Sequence, residues 1–309
     1  MNQMQDPCDI LIIGAGPAGL TAACYLARYR RRVIVVHDGR SRTLRIPLTH
    51  NAPGFPGGVG GQELISRMEE QALLYGAHIR RDHIETLKAD GDGFRATGET
   101  IYRARAVILA TGIELNEVEL PREAHEHAIN CGCLRYCPVC DGFEASDKAV
   151  GVLGSDVHGA REALFLREYT ADVTLMPRTA SDLTPAQRAE LAAAGVKVVE
   201  SAVAQLSPSE EGLAVRLTDG TRLRFDVLYP AFGCVPRSEL VRQLGLELTE
   251  DGCIQTDAHQ ALALPGLYAA GDVVDGLDQI SVAVGHGAIA ATRAHNYLRE
   301  LDGRVLRSA

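Results

Sequence analysis

Apolar residues recur along this chain in two rhythms, and the order in which the rhythms alternate predicts an architecture. Residues 9–13 form a short continuous apolar run, the mark of a buried strand. Residues 17–28 carry apolar positions at helical spacing, and 32–37 form a second buried run. Strand, helix and strand in this order make a βαβ unit and point to a parallel sheet. A loop rich in Gly and Pro covers 50–61, and a helix is expected over 62–75. Shorter strands near Ile79, Phe94 and Ile101 lead to the apolar run 106–110, which ends at Thr111-Gly112.

The pattern then restarts, with a strand over 149–153, a helix over 159–169 and a strand over 172–176. Helix, strand and hairpin signals continue around Ala189 and over 196–199, 213–217 and 222–228. The stretch 266–272 and a helix over 281–301 fit neither repeat, and read as a return to the first domain. The expected fold is therefore α/β, with two nucleotide-binding, Rossmann-like domains, the second inserted into a discontinuous first. The boundaries expected are 1–114 and 237–309 for the first domain and 115–236 for the insert.

Composition narrows the function. At 309 residues the chain is long enough for two cores, and 46% apolar with 23% charged residues is ordinary for a globular protein. A formal charge of −9 argues against a nucleic-acid partner, because phosphate backbones call for concentrated Lys and Arg. The basic cluster 28–32 lies where a helix should end, and there it complements the helix dipole. No apolar run approaches the roughly 20 residues that span a bilayer. Residues 1–9 carry no basic residue, so no secretory leader is expected, and we place the chain in the cytoplasm rather than at a membrane. Eight cysteines in a reducing compartment do not read as a structural disulfide framework, which makes any close pair a redox or metal candidate.

Gly14-Ala15-Gly16-Pro17-Ala18-Gly19 follows a predicted strand and opens a predicted helix. Gly14 permits the tight turn, Gly16 lets backbone approach a pyrophosphate, and Gly19 lets helix and strand pack closely, with the phosphates at the positive end of the helix dipole. Asp38, at the end of the second strand, is placed to accept hydrogen bonds from an adenosine ribose.

Cys137-Pro138-Val139-Cys140-Asp141-Gly142 is the sharpest chemical signal. Two cysteines three positions apart form a reducible disulfide, and a helix start favours the thiolate. Asp141 beside them is placed to protonate a departing thiolate. Cys131 and Cys133 bring four cysteines within ten positions and raise a rival reading as a thiolate metal site, although the Cys131-Gly132-Cys133 spacing is unlike common two-knuckle sites. The other reading makes them buried small residues or an auxiliary thiol pair, and treats Cys8, Cys24, Cys234 and Cys253 as core packing. His286, between two glycines near the start of the last helix, is either a proton-transfer group or a polar helix-start residue.

Taken together, the glycine loop with its Pro17-Ala18, Asn51-Ala52-Pro53-Gly54, Ala110-Thr111-Gly112, the Cys-x-x-Cys-Asp-Gly motif and Ala270-Gly271-Asp272 resemble the low-molecular-weight thioredoxin reductases over essentially the whole chain. The resemblance implies FAD, held by Gly14, Gly16, Pro17, Ala18, Gly19, Asp38, Arg42, Asn51, Ile84, Thr111, Gly112, Gly271, Asp272, Gln279 and Ile280. It implies that Cys140 lies nearer the flavin and Cys137 exchanges with a partner, either a thioredoxin-like protein or a small dithiol or disulfide. It also implies a homodimer and an insert that rotates.

The chain departs from that family at the second glycine loop, Gly154-Ser155-Asp156-Val157-His158-Gly159. Asp156 replaces the glycine that would let backbone approach the NADPH phosphates. At about 4 Å and an effective dielectric near 20, its charge costs on the order of 4 kcal/mol per facing phosphate charge. After the strand 172–176, Arg178 stands alone where the family has several basic residues. These changes argue against NADPH as reductant, with Arg178 keeping it open. Three classes follow: a flavin disulfide enzyme, a thiolate metal protein, and a flavin sensor without turnover. Within the first, the electrons come from NADPH, ferredoxin or a second flavin, or run the other way, from a substrate dithiol to oxygen.

Overall fold

The structure is a computed structural model that describes residues 3, 4 and 6–306. Residues 1, 2, 5 and 307–309 fall outside it, and with them part of the N-terminal stretch read above for a leader. The chain divides into two compact units: Met1–Leu48, Ala52–Glu114 and Val235–Ala309 form one, and Thr49–Asn51 with Leu115–Cys234 form the other. It is a mixed α/β fold with two Rossmann-like domains, as the alternation of rhythms predicts.

The first unit opens with β1 (Cys8–Ile13), α1 (Pro17–Arg28) and β2 (Val33–His37), each within a residue of the expected bounds. Then come α2 (Gly61–Leu74), β3 (His78–Arg81), β4 (Thr86–Asp90), β5 (Gly93–Thr97) and β6 (Thr100–Leu109). The strands form one sheet in the order β3-β2-β1-β6-β5-β4. The run expected as two pieces, near Ile101 and at 106–110, is the single strand β6. Its first half alternates buried and exposed residues and pairs antiparallel with β5, Phe94 opposite Ala104. Its second half is continuously buried and pairs parallel with β1, Ile12 opposite Ile108, as a strand covered on both faces should.

The second unit starts with α3 (Arg122–Asn130) and the single turn α4 (Pro138–Asp141). It continues with β7 (Val150–Leu153), α5 (Val157–Leu166), β8 (Val173–Met176), α6 (Pro185–Ala193) and β9 (Lys197–Val198). An antiparallel ribbon of β10 (Val203–Ser209), β11 (Gly212–Leu217) and β12 (Arg222–Phe225) precedes β13 (Val227–Pro230). The parallel sheet runs β9-β8-β7-β13. The run 222–228, expected as one strand, therefore serves two sheets. Asp226 makes the break, its carboxylate accepting from the Ala149 N–H at 2.8 Å. Helix α3 carries only a narrow apolar stripe, with Ala128 and His125 as its buried residues, and no helix was expected there.

The chain returns to the first unit with β14 (Leu267–Ala269), parallel to β6, and α7 (Ile280–Leu301). Helix α7 packs on α1 through small residues, Ala290, Ala291 and Ala294 against Ala22 and Ala23, all fully buried. Gly287 has no room for a side chain, since a Cβ there would strike the Ala18 carbonyl. Among the described residues no helix is long and apolar enough to cross a membrane.

Candidate functional site

In the first unit the glycine loop joins β1 to α1. Gly14 takes φ +114, and a Cβ on it would collide with the Ala110 carbonyl. A Cβ on Gly19 would collide with the Gly14 carbonyl, so the loop closes only with glycine at both ends. Gly16 is the N-cap of α1 at φ −82, with no side chain capping it, and Pro17 follows as the first helical residue. The helix thus begins with N–H groups that its own side chains do not occupy, an arrangement suited to an anionic ligand.

A crevice at this helix start is lined by Gly14, Gly16, Pro17, Ala18, Asp38 and Arg42. Its far wall holds Thr111, Gly112, Gly271 and Asp272. Gly271, at φ +83, passes so close to Ala18 that a Cβ would sit 2.9 Å from the Ala18 methyl. Arg42 pairs with Asp272 at 3.0 Å and donates to the Asp278 carbonyl at 3.3 Å. Burial, with the Asp272 charge adding and Arg42 opposing, pushes the Asp278 carboxyl up to about 6. Asp38 is held below the usual carboxylate range despite partial burial, because Arg40 donates to it through backbone and side chain at 3.0 and 2.8 Å.

Not every expected residue lines that crevice. Ile84 is buried in the core with Leu87 and Phe94. Gln279 is the N-cap of α7, and Ile280 packs with Ala52, Val59 and Leu64. Asn51 lies in the short segment that groups with the second unit, where the Thr49 hydroxyl donates to its Oδ1 at 2.9 Å. His286 sits in the second turn of α7, further along than expected, and burial lowers its pKa against the pull of Asp272. Its Nδ1 is buried without a hydrogen-bond partner. Sequence reasoning missed Arg40, Arg237 and Asp278. Arg237 reaches the crevice from a distant segment, donating to the Arg40 carbonyl at 3.3 Å, while its own carbonyl accepts from the Thr111 hydroxyl at 2.6 Å. Its Nε is buried without a hydrogen-bond partner. The open helix start, the glycine cradle and the Arg237 guanidinium, which also lies 3.9 Å from the Glu114 carboxylate, fit a dinucleotide with a pyrophosphate.

The second glycine loop has the same skeleton. Gly154 takes φ +132, and a Cβ on Gly159 would collide with the Gly154 carbonyl. The difference lies in between. Asp156 is the N-cap of α5, and its carboxylate accepts from the Gly159 N–H at 2.9 Å, filling the position an anionic ligand would take. Burial, and then the Asp156 charge, push Glu162 on the same helix up to about 7, with Oε2 lacking a hydrogen-bond partner. Arg178 is already engaged, 2.9 Å from Glu119 and stacked 5.1 Å from the centre of the Phe232 ring.

Cys137 and Cys140 are joined by a disulfide at 2.01 Å. Cys137 is the N-cap of α4, and the Cys140 N–H donates to its Sγ at 3.1 Å. The helix is one turn long, so its dipole is small, and these local bonds are what the backbone offers the sulfur. Gly142 is required because a Cβ would lie 2.6 Å from the Pro138 carbonyl and 2.8 Å from the Tyr169 ring. Asp141 is pushed above the usual carboxylate range by burial, against the pull of Arg135 at 2.9 Å and a hydrogen bond from the Tyr229 hydroxyl at 3.0 Å. A carboxyl so held is suited to keep and pass a proton. Val139, between the two cysteines, and Phe143, just beyond them, are exposed.

The four neighbouring cysteines resolve into two pairs, Cys137 with Cys140 and Cys131 with Cys133, whose sulfurs lie 3.3 Å apart. Among the described residues no three His, Cys, Asp or Glu side chains gather as a metal site.

The model of a family described as pyridine nucleotide-disulphide oxidoreductase matches residues 8–287. The thioredoxin reductase of Mycolicibacterium smegmatis is 33% identical over 315 residues, covering 98% of this chain and 100% of its own. Among solved structures, HlmI is similar at a TM-score of 0.89 and 30% identity, over 96% of this chain and 94% of that one. The thioredoxin reductase from Streptococcus pyogenes MGAS5005 gives 0.88 at 29% identity, over 97% and 100%.

Proposed function

This chain belongs to the pyridine nucleotide-disulphide oxidoreductase family as a thioredoxin reductase-like FAD disulfide oxidoreductase, and on that premise we propose that its electrons do not come from NADPH. The observation that carries the proposal is the carboxylate of Asp156, bonded to the Gly159 N–H where a pyridine dinucleotide would set its phosphates.

Gly14, Gly16, Gly19, Asp38, Arg42, Thr111, Gly112, Gly271 and Asp272 hold the FAD in this reading, with Arg40 and Arg237 added to the set. When bound, FAD would supply a two-electron donor or acceptor, its electrons in the reductase direction coming from ferredoxin or a second flavin. The chain's own residues do the rest. The reduced Cys137 thiolate attacks one sulfur of a partner disulfide, and one partner thiolate leaves with a proton. Cys140 then attacks the Cys137 sulfur, the second partner thiolate leaves, and the Cys137–Cys140 disulfide is restored. Asp141, raised by burial and steadied by Arg135 and Tyr229, holds the proton exchanged with the departing sulfur. The partner is a thioredoxin-like protein or a small disulfide, and the working form is a cytoplasmic homodimer.

The blocked second loop also favours a second reading, in which a substrate dithiol reduces the Cys137–Cys140 disulfide and oxygen takes the electrons from the flavin. Anaerobic titration of the flavin absorbance with NADPH, NADH and a small dithiol separates the cases. Bleaching by the dithiol and not by either nucleotide is expected, and rapid bleaching by NADPH overturns the proposal. Turnover with the same dithiol under oxygen then selects the oxidase direction. Cys140→Ser should keep the bound flavin and lose disulfide exchange.

A further inference from the structure

Two of the four clustered cysteines have no part in that function. Cys131 ends α3, its backbone N–H donating to the His127 carbonyl at 2.9 Å. Gly132 turns the chain at φ +78. Cys133 enters a segment alongside β13, its carbonyl accepting from the Leu228 N–H at 2.8 Å, and Leu134 bridges to Leu228. Backbone bonds fix both flanks of this three-residue turn, and the turn sets the two sulfurs 3.3 Å apart. A disulfide requires about 2.05 Å, so the two sulfurs stand in contact with the bond open.

The two sulfurs are unequal in access. Cys131 is exposed, and Cys133 is buried at 3% exposure. That is the division of labour in a working dithiol, where one sulfur meets the partner and a protected one resolves. We propose that Cys131 and Cys133 are a second dithiol–disulfide couple, separate from Cys137–Cys140, in which Cys131 meets a small disulfide from solvent and Cys133 resolves the mixed disulfide.

The exchange balances. Cys131 loses its proton and attacks one sulfur of the small disulfide, forming a mixed disulfide and releasing one thiolate, which takes that proton. Cys133 loses its proton and attacks the Cys131 sulfur, releasing the second thiolate, which takes the second proton. Two electrons pass from the pair to the small disulfide, which leaves as two thiols. Burial, and then the hydrogen bond and charge of Cys131, push the Cys133 thiol up to about 12. The last two influences end once Cys131 is held in the mixed disulfide, which leaves burial as the main influence on the Cys133 thiol.

This proposal does not rest on the role given to Cys137 and Cys140, and the chain allows the two to be tested apart. Trypsin cleaves after Arg122, Arg135 and Lys148, so Cys131 and Cys133 fall in peptide 123–135 and the other pair in 136–148. The full-length protein is equilibrated over ratios of reduced to oxidised dithiothreitol, alkylated, digested and weighed. The 123–135 peptide is expected to pass from two alkyl groups to none, with loss of two hydrogens, in one two-electron transition. Two alkyl groups at every ratio overturn the proposal, whatever peptide 136–148 does. With oxidised glutathione, Cys133→Ser should accumulate a glutathione adduct on 123–135 that the unsubstituted protein does not retain. Cys131→Ser, at an exposed position, should lose both closure and adduct, and an adduct of equal yield in that variant also overturns it.

Discussion

The two glycine loops share a skeleton and differ in one side chain. In each, the first glycine takes a positive φ, +114 at Gly14 and +132 at Gly154, and the last glycine leaves no room for a Cβ against the first one's carbonyl. Between them, Gly16 caps its helix with backbone alone, whereas Asp156 caps its helix with a carboxylate. Strand-to-helix packing therefore constrains the outer glycines and says nothing of a ligand. The middle position decides whether the helix N–H groups are left for a phosphate or are satisfied from within.

The largest effect is expected from carrying the second loop's residue into the first. At Gly16, φ is −82 and the nearest atom to a Cβ is the Ser41 hydroxyl at 3.4 Å, so Gly16→Asp fits the fold. The like charge should weaken FAD binding by roughly a thousandfold, from about 4 kcal/mol of repulsion. Flavin absorbance of the purified variant reads the loss, and a fully yellow protein would mean that the middle residue does not govern the site.

A smaller effect sharpens the electrostatics of the second loop. Burial and the Asp156 charge hold Glu162 at about 7, against about 4.3 in an unfolded chain. The folded state favours the protonated acid, so its contribution to stability is complete below about pH 4.3 and is lost as pH rises through about 7. Denaturant unfolding should show this group's share, on the order of 3 kcal/mol, disappear between pH 4 and 8. Glu162→Gln should flatten that slope and be the more stable protein at pH 8. Equal slopes would remove the burial argument.

The smallest effect is expected from Asp156→Gly. Replacing a carboxylate cap by glycine costs a few tenths of a kcal/mol in stability. Anaerobic mixing with NADPH should then bleach the flavin measurably, yet slowly, because Arg178 remains tied to Glu119. No change at all would show that something other than the carboxylate excludes the nucleotide.

Much of this was legible in the sequence because the governing constraints are local. The outer glycines of both loops, Gly142 beside the dithiol and the pairing of Cys137 with Cys140 follow from turns and close approaches within a few residues. Asp156 was legible as an intrusion, but its capping bond makes it a fitted part of α5 and not only a damaged phosphate loop. Arg237 and Asp278 were hidden, because their crevice neighbours Arg40, Thr111 and Arg42 come from far along the chain. The run 222–228 looked continuous because hydropathy does not record which sheet a strand joins, and the break rests on one carboxylate at Asp226. Helix α3 was hidden for the opposite reason, its surface being almost wholly polar.

Arg135 donates through Nε to the Gly132 carbonyl at 3.1 Å, inside the turn between Cys131 and Cys133, and through Nη1 to the Asp141 carboxylate at 2.9 Å, beside Cys140. A guanidinium keeps its charge at any physiological pH, so one permanent cation spans both sulfur pairs. One side chain thus ties the turn between Cys131 and Cys133 to the carboxyl that stands beside Cys140, with no sulfur shared between them.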